Sequence, residues 1–376
     1  MVQLKLFNNV IVLHIITIKN KHMKKLVNLL FVIIISHFCS AQIVSDVTSK
    51  YDFIPGEKII FFDDFSTETL GDFPLQWNTN SSGEIVTLSK LAGRWFKMSS
   101  GGFYIPEAKE PFTENFTVEF DLYSTNTANT EYLYNTDFIF VSGTLADPNE
   151  GGAIPGKAGM SITANNDAMD WSNWAESAEG YKDRGNASMG LKSGEKYHIS
   201  FWVQKQRIRM YVDENKVLDL PRGLIEGYVY NIFRMQTSEE ITLFISNFRI
   251  AAGLPDMRNK LLTEGKLVSY GILFDVNSDI LKPESFATIK EIAQVLKDNP
   301  AIKLKIVGHT DSDGEEAFNM DLSKRRAASV KLELTKKWSI DATRITTDGK
   351  GESVPLVPND SGIHKARNRR VEFIKQ

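Results

Sequence analysis

The stretch that most constrains the fold of this chain is residues 308–327, GHTDSDGEEAFNMDLSKRRA. An apolar, alternating run, Leu304-Lys305-Ile306-Val307, leads into it and reads as a strand. A polar, glycine-punctuated loop continues through Asn319. Leu322-Ser323 then opens a helix that carries Arg325 and Arg326, with Ser323 as its cap. Strand end, loop and helix start bring the carboxylate of Asp311, the amide of Asn319 and the guanidinium of Arg326 into one neighbourhood. A carboxylate holds an ammonium, and a planar guanidinium holds a carboxylate through paired donors. The combination suits a zwitterion such as the end of an amino acid.

Strand and helix alternate around this stretch. Residues 270–274 read as a strand, and Pro283 sits at the first turn of a helix reaching Asp298, with Phe286, Ile289, Ala293 and Leu296 as its apolar stripe. Residues 303–307 form the second strand. The second helix presents Ala327, Val330 and Leu334, and strands at 344–347 and 371–374 complete the set. The order is βαβαβ plus a final strand, an α/β layer with helices packed on one sheet.

Residues 265–376 resemble the OmpA-like peptidoglycan-binding domain, whose signature TD..G....N..LS..RA is matched here. Five blocks occur in the family's order: GILFDVNSDILKPES, GHTDSDG, NMDLSKRRAASV, GKGESVPLVPN and ARNRRVEF. The resemblance implies binding of the peptidoglycan stem peptide at its diaminopimelate end. Asp311 would take the ammonium and Arg326 the carboxylate; Asn277 and Asn319 would add hydrogen bonds, and Arg369 would border the same pocket. Arg370 alternates to the other side. His309 lacks a Ser, Cys or metal-ligand partner at useful spacing and reads as a strand-end hydrogen bonder. Gly308, Gly314 and Gly349 read as turn residues. Two departures stand out. Lys337-Trp338-Ser339-Ile340 replaces the glycine that commonly ends the second helix. Asp313 adds a carboxylate beside Asp311, a repulsion that Arg326 or Arg369 has to offset.

Ahead of this domain, residues 51–252 alternate as β-strands do. Phe116, Val118, Phe120 and Leu122 interleave with Thr117, Glu119, Asp121 and Tyr123, and similar runs recur at 198–203, 208–212 and 241–250. Short strands in such number predict a two-sheet sandwich. A transmembrane barrel needs evenly repeated strands of about 9–11 residues, whereas here the strands are irregular and the loops at 125–135 and 163–188 long. The region resembles the concanavalin A-like jelly rolls, laminin-G-like modules included. That likeness rests on Phe61-Phe62-Asp63-Asp64-Phe65, Gly71-Asp72-Phe73-Pro74, Trp77 and the late strand series. The expected fold is therefore α+β in two domains, an all-β jelly roll at 51–252 and the α/β domain at 265–376. Residues 253–264 are a linker with a short helical turn.

Two features of the sandwich bear on chemistry. Glu119-Phe120-Asp121 resembles the start of the ExDxxE motif of laminarinase-type glycoside hydrolases. Retaining hydrolysis needs two carboxyl groups about 5–5.5 Å apart, and Ser124 stands where the second Glu belongs. The pair reads as two solvated acids on an exposed face, and no enzymatic activity is expected. Trp171 and Trp174, in the loop 165–174, can stack on sugar rings but read first as covers for a sheet edge. Asp63, Asp64, Asp167 and Asp170 lack the ordered ligand series of a calcium loop, so no metal or cofactor is expected.

Charge and the leader bound the rest. Residues 257–376 hold 21 Lys and Arg against 17 Asp and Glu, and residues 1–41 hold five lysines and no acid. With a whole-chain charge of −3, residues 42–256 carry −12, which would repel nucleic acid. Met23-Lys24-Lys25, the apolar run 26–35 and Cys39-Ser40-Ala41 form a secretion signal cleaved before Gln42, with residues 1–22 as an upstream extension. The apolar run is shorter than the roughly 20 residues a span needs. Cys39 is the only cysteine, and Phe38 stands where a lipoprotein signal wants a small residue, so the mature chain has no disulfide. The expected protein is a non-catalytic one of the periplasm, associated with outer membrane and wall. It holds peptidoglycan and displays a sandwich whose own partner is a glycan or an envelope protein. The alternative is a glycan-binding or glycan-degrading jelly roll tethered by its C-terminal domain.

Overall fold

The computed structural model of the protein describes residues 4–7, 10–13, 51–126, 131–144, 147, 149–176, 180–254 and 256–376. The expected secretion signal, with its cleavage site after Ala41, lies outside the described residues. Residues 1–49 form a unit of their own, in which Leu4–Phe7 and Val10–Leu13 pair as antiparallel strands. Residues 50–376 form the second unit.

Residues 58–252 build two antiparallel sheets. One has seven strands, in the order Tyr181–Ala187, Ala168–Ala175, Ala158–Asn165, Thr136–Ser142, Ile232–Gln236, Phe103–Pro106, Trp77–Thr79. The other runs Asn215–Leu220, Arg207–Val212, Lys196–Gln204, Asn115–Asn126, Ile241–Ala252, Leu91–Met98, Gly83–Leu88, with Lys58–Asp63 also on Ile241–Ala252. Their inner faces meet in an aromatic core. Phe120 stacks on Phe248 at 5.5 Å, and Phe140 meets Phe201 and Phe233 edge-on at 5.3 and 5.2 Å. Alternation in Asn115–Asn126 is what sends Phe116, Val118, Phe120 and Leu122 into this core. The expected loop at 165–174 is instead a hairpin of two eight-residue strands turning at Asn166, which takes φ 56°. Trp174 is buried there and donates its indole N–H to the Pro155 carbonyl, while Trp171 packs partly buried on the core.

The sandwich leads through Met257–Asn259 and a wider helical turn, Lys260–Glu264, into a four-stranded sheet ordered Lys266–Ser269, Val371–Lys375, Leu304–Gly308, Ile345–Gly349. Only the last pair is parallel. Helices Ser285–Asp298 and Glu316–Lys336 bury Ile289, Ile292, Leu296, Ala327, Val330 and Leu334 against Leu304, Ile306 and Phe373. A short helix, Gly362–Asn368, precedes the last strand.

Three expectations shift. The first strand lies at 266–269, and 270–274 is irregular apart from a bridge between Phe274 and Leu281. The second helix begins at Glu316, so Ser323 is an interior residue bonding back to the Met320 carbonyl rather than a cap. Gly308 and Gly349 do not turn the chain; they lie where strand ends pass beneath that helix, and a Cβ would come within 2.2 Å of the Ser323 carbonyl oxygen and 2.4 Å of the Lys324 amide, respectively. Gly314, at φ 95°, is the turn glycine. Where a glycine commonly ends the helix, Ser339 takes φ 58°, and the Ile340 amide bonds back to Leu334.

The two folded parts are joined by polar ties. Arg367 donates to the Ile59 carbonyl and to Glu110, and Arg249 donates to the Tyr270 carbonyl. The outer face of the eight-stranded sheet therefore faces protein, not open water, around Glu119.

Candidate functional site

A cavity of about 360 Å³ lies between the eight-stranded sheet and the C-terminal domain. All five expected ligand residues, Asn277, Asp311, Asn319, Arg326 and Arg369, line it, together with residues of the sandwich.

Strand Leu304–Gly308 delivers Asp311 through His309 and Thr310. All three are buried. Asp311 Oδ1 accepts the Asp313 amide at 3.1 Å, and Oδ2 accepts from Arg369 at 2.5 Å. Arg369 leaves the short helix and lies over the Phe62 ring, 5.0 Å from its centre. Asp313 pairs with Lys365 at 2.6 Å, so each of the adjoining acids has its own cation. Arg326 comes from the third turn of the long helix, not from a helix start. Its Nε donates to the Ser278 carbonyl at 2.9 Å, and its guanidinium lies over Phe274 at 4.9 Å. Burial pushes its pKa down to about 10, with Asp311 working the other way, so it is a cation at neutral pH. Among the described residues it forms no salt bridge with a carboxylate. A half-buried guanidinium held by carbonyls alone retains its attraction for an anion.

The remaining residues divide. Asn277 is exposed in the loop after the first strand, at φ 55°. Asn319 is buried, and its amide donates to Glu352 Oε2 at 2.6 Å and to the Asp313 carbonyl at 3.0 Å, bracing the loop from within. Arg370, expected on the other side, also lines the cavity, but it is buried and paired with Glu372 at 2.8 Å, besides bonding carbonyls of Asn368 and Val354. His309 ties the loop through its main-chain amide, bonded to the Arg370 carbonyl. Among the described residues its buried ring nitrogens make no hydrogen bond, and Nε2 lies 3.7 Å from a Glu372 carboxylate oxygen.

The sandwich supplies the opposite wall, and here the reading of Glu119 and Asp121 as solvated acids is corrected. They are only 2% and 4% exposed. Strand register sets Asp121 opposite His198 and Ser246, and Glu119 opposite Ser200 and Arg249, with a bulge at Asn247 in between. His198 Nδ1 is 2.9 Å from Asp121, and Nε2 is 3.6 Å from Glu119. Arg249 reaches Glu119 at 2.7 Å, Lys196 reaches Asp121 at 3.1 Å, and the Asn247 amide donates to Asp121 at 2.9 Å. Burial alone would disfavour both carboxylates. The charges and hydrogen bonds of Arg249 and His198 overcome this and hold both below the usual carboxylate range. Burial likewise opposes the His198 cation, yet Asp121 and Glu119 hold its pKa well above that of a free imidazole. His198, Arg249 and Asn247 were not foreseen as site residues. Outward polar positions such as theirs read in the sequence as a solvated face, as Lys196, Ser200 and Gln204 beside His198 do.

The OmpA family model matches residues 273–369. Outer membrane protein A of Bordetella avium is 46% identical over 100 residues, which cover 27% of this chain and 51% of that protein. Outer membrane porin F of Pseudomonas fluorescens is 40% identical over 105 residues, 28% of this chain and 32% of that protein. The probable lipoprotein YiaD of Escherichia coli is 42% identical over 102 residues, 27% and 46% respectively. The chain thus spans about half or less of the length of these relatives. Among solved structures, the peptidoglycan-associated lipoprotein from Burkholderia pseudomallei is 26% identical over 28% of this chain and 88% of that one, with a TM-score of 0.27. Residues 273–369 of this chain are an OmpA family domain.

Proposed function

We propose that this chain is a non-catalytic cell-envelope protein, exported to the periplasm and associated with outer membrane and wall, that binds peptidoglycan non-covalently. The ligand is the diaminopimelate end of the stem peptide, with its carboxylate on Arg326 and its ammonium at Asp311. The residues at 51–252 are then a concanavalin A-like jelly roll that the C-terminal domain tethers. The observation that carries this reading is Arg326, a half-buried cation without an acidic partner among the described residues, on the same cavity as Asp311. The names of the relatives, outer membrane proteins and lipoproteins, support the envelope setting.

A glycan-degrading sandwich is the weaker reading. A general acid needs a carboxyl that keeps its proton near neutral pH. Glu119 and Asp121 are both driven the other way by their cationic neighbours.

The test is calorimetric titration of the purified full chain with a diaminopimelate-containing stem peptide. One charge-assisted hydrogen bond contributes roughly 1.5–3 kcal/mol, so Arg326→Ala and Asp311→Ala should each weaken binding about 10- to 150-fold. If both variants keep the wild-type circular dichroism spectrum and bind like wild type, the assignment is wrong.

A further inference from the structure

The acid read as the ammonium site is already occupied by a cation. Arg369 Nη1 lies 2.5 Å from Asp311 Oδ2, while Nη2 of the same guanidinium turns toward Asp64 Oδ2 of the sandwich, 3.4 Å away. Phe62, also of the sandwich, supports the guanidinium plane. The other Asp64 oxygen is taken by the amide and hydroxyl of Ser66, which leaves Oδ2 facing Arg369. Two carboxylates from two parts of the chain thus share one cation, unequally. Charge-assisted hydrogen bonds of this kind settle at about 2.7–2.9 Å, so the Asp64 contact has room to close.

An incoming ammonium has to compete with Arg369 for Asp311 Oδ2. Asp311 Oδ1 accepts the Asp313 amide and Oδ2 accepts Arg369, and two cations at contact distance on one carboxylate repel each other. A short shift of Arg369 toward Asp64 resolves the conflict, because it exchanges one ion pair for another and strands no charge. Without Asp64 the displaced guanidinium would sit half-buried and unpaired, which is strongly unfavourable.

We infer that the sandwich is part of the binding site: Asp64 takes over Arg369 as the ammonium of a zwitterionic amino-acid end engages Asp311. The inference rests on the reading of Asp311 and Arg326 given above. Asp64 acts through Arg369, so it is a positioning residue, and the β-sandwich is more than cargo on a wall anchor.

The experiment is titration of the full chain and its variants with the same stem peptide. Asp64→Asn keeps the bond to Ser66 and should weaken binding about tenfold, the scale of losing one partly buried charge pair. Asp64→Glu restores the carboxylate and should bind within about twofold of wild type. In an Arg369→Ala background there is no guanidinium to relocate, so adding Asp64→Asn should change affinity less than about twofold, a non-additivity that a merely structural role would not produce. Two results overturn the inference: Asp64→Asn binding like wild type while Asp311→Ala loses binding, or Asp64→Asn weakening binding equally with and without Arg369. If neither Asp311→Ala nor Arg326→Ala affects binding, the underlying reading fails and this one with it.

Discussion

Among single residues, His198 sets the electrostatics of the wall that the sandwich presents. It is the cation between two buried carboxylates, and its neighbours Arg249, Lys196 and Asn247 complete the pairing. Its pKa is held up to about 10 in the folded protein, against about 6.5 for a free imidazole. A raised pKa gives stability that is complete below pH 6.5 and drains away as the pH rises toward 10. Glu119 and Asp121 are shifted down, so their contribution is present above about pH 4 and lost on acidification. His198→Gln should therefore destabilise the protein by about 3–5 kcal/mol near pH 6, as removal of one partner from a buried pair does. The gap between wild type and variant, followed by urea unfolding, should narrow steadily up to pH 10. A gap independent of pH would mean that the ring is neutral in the folded state. The carboxylate pair Glu119 and Asp121 was legible in the sequence as sharing one strand face, but its cationic partners were not. Alternation told which side of the strand Glu119 and Asp121 face, and nothing local told that a second domain lies on that side.

At the scale of elements, the long helix Glu316–Lys336 places Arg326 and shows why a sequence pattern can misplace a boundary. Its buried positions include Asn319, Leu322, Ser323, Ala327, Val330 and Leu334, a helical spacing throughout. Two of those six are polar, because Asn319 braces the loop and Ser323 bonds to Met320 and accepts the Gly351 amide. The apolar stripe is visible only from its second half, and the expected cap, Ser323, lies eight residues past the observed one, Glu315. The first strand lies four residues ahead of its expected place and the short helix Gly362–Asn368 left no signal, whereas the two long helices and the other three strands were legible, since each carries its own periodicity. Two substitutions separate core from site. Leu334→Ala opens a cavity under the far end of the helix and should cost about 2–5 kcal/mol of stability, with stem-peptide affinity unchanged. Gly308→Ala sets a methyl 2.2 Å from the Ser323 carbonyl oxygen, so the helix must lift near Arg326. Overpacking of this kind costs about 1–3 kcal/mol, and here peptide binding should fall as well. Thermal melts with titrations on both variants decide the matter; equal affinity in the two would disconnect the strand–helix approach from the site.

At the scale of the whole molecule, the sandwich and the C-terminal domain share buried charge, and shared buried charge couples their unfolding. Arg249 is the clearest link, since it pairs with Glu119 inside the sandwich and donates to the Tyr270 carbonyl at the start of the other domain. Separating the domains strips that carbonyl contact and opens the Glu119 face to water, while Arg367 loses Ile59 and Glu110. The chain carries its own probes for this. Five of its six tryptophans, Trp77, Trp95, Trp171, Trp174 and Trp202, lie in the sandwich. Among the described residues, the helices lie from residue 257 onward. Tryptophan fluorescence therefore follows one part, and circular dichroism at the helical band follows the other. In wild type the two signals should trace a single urea transition with one midpoint, the signature of a cooperative unit. Arg249→Ala leaves Glu119 buried beside His198 with one cation fewer, a loss of about 3–5 kcal/mol, and removes the tie to Tyr270. In that variant the midpoints should separate as well as fall. Two well-separated transitions already present in the wild-type protein would show that the halves unfold independently, and the composite site would then lose its physical basis.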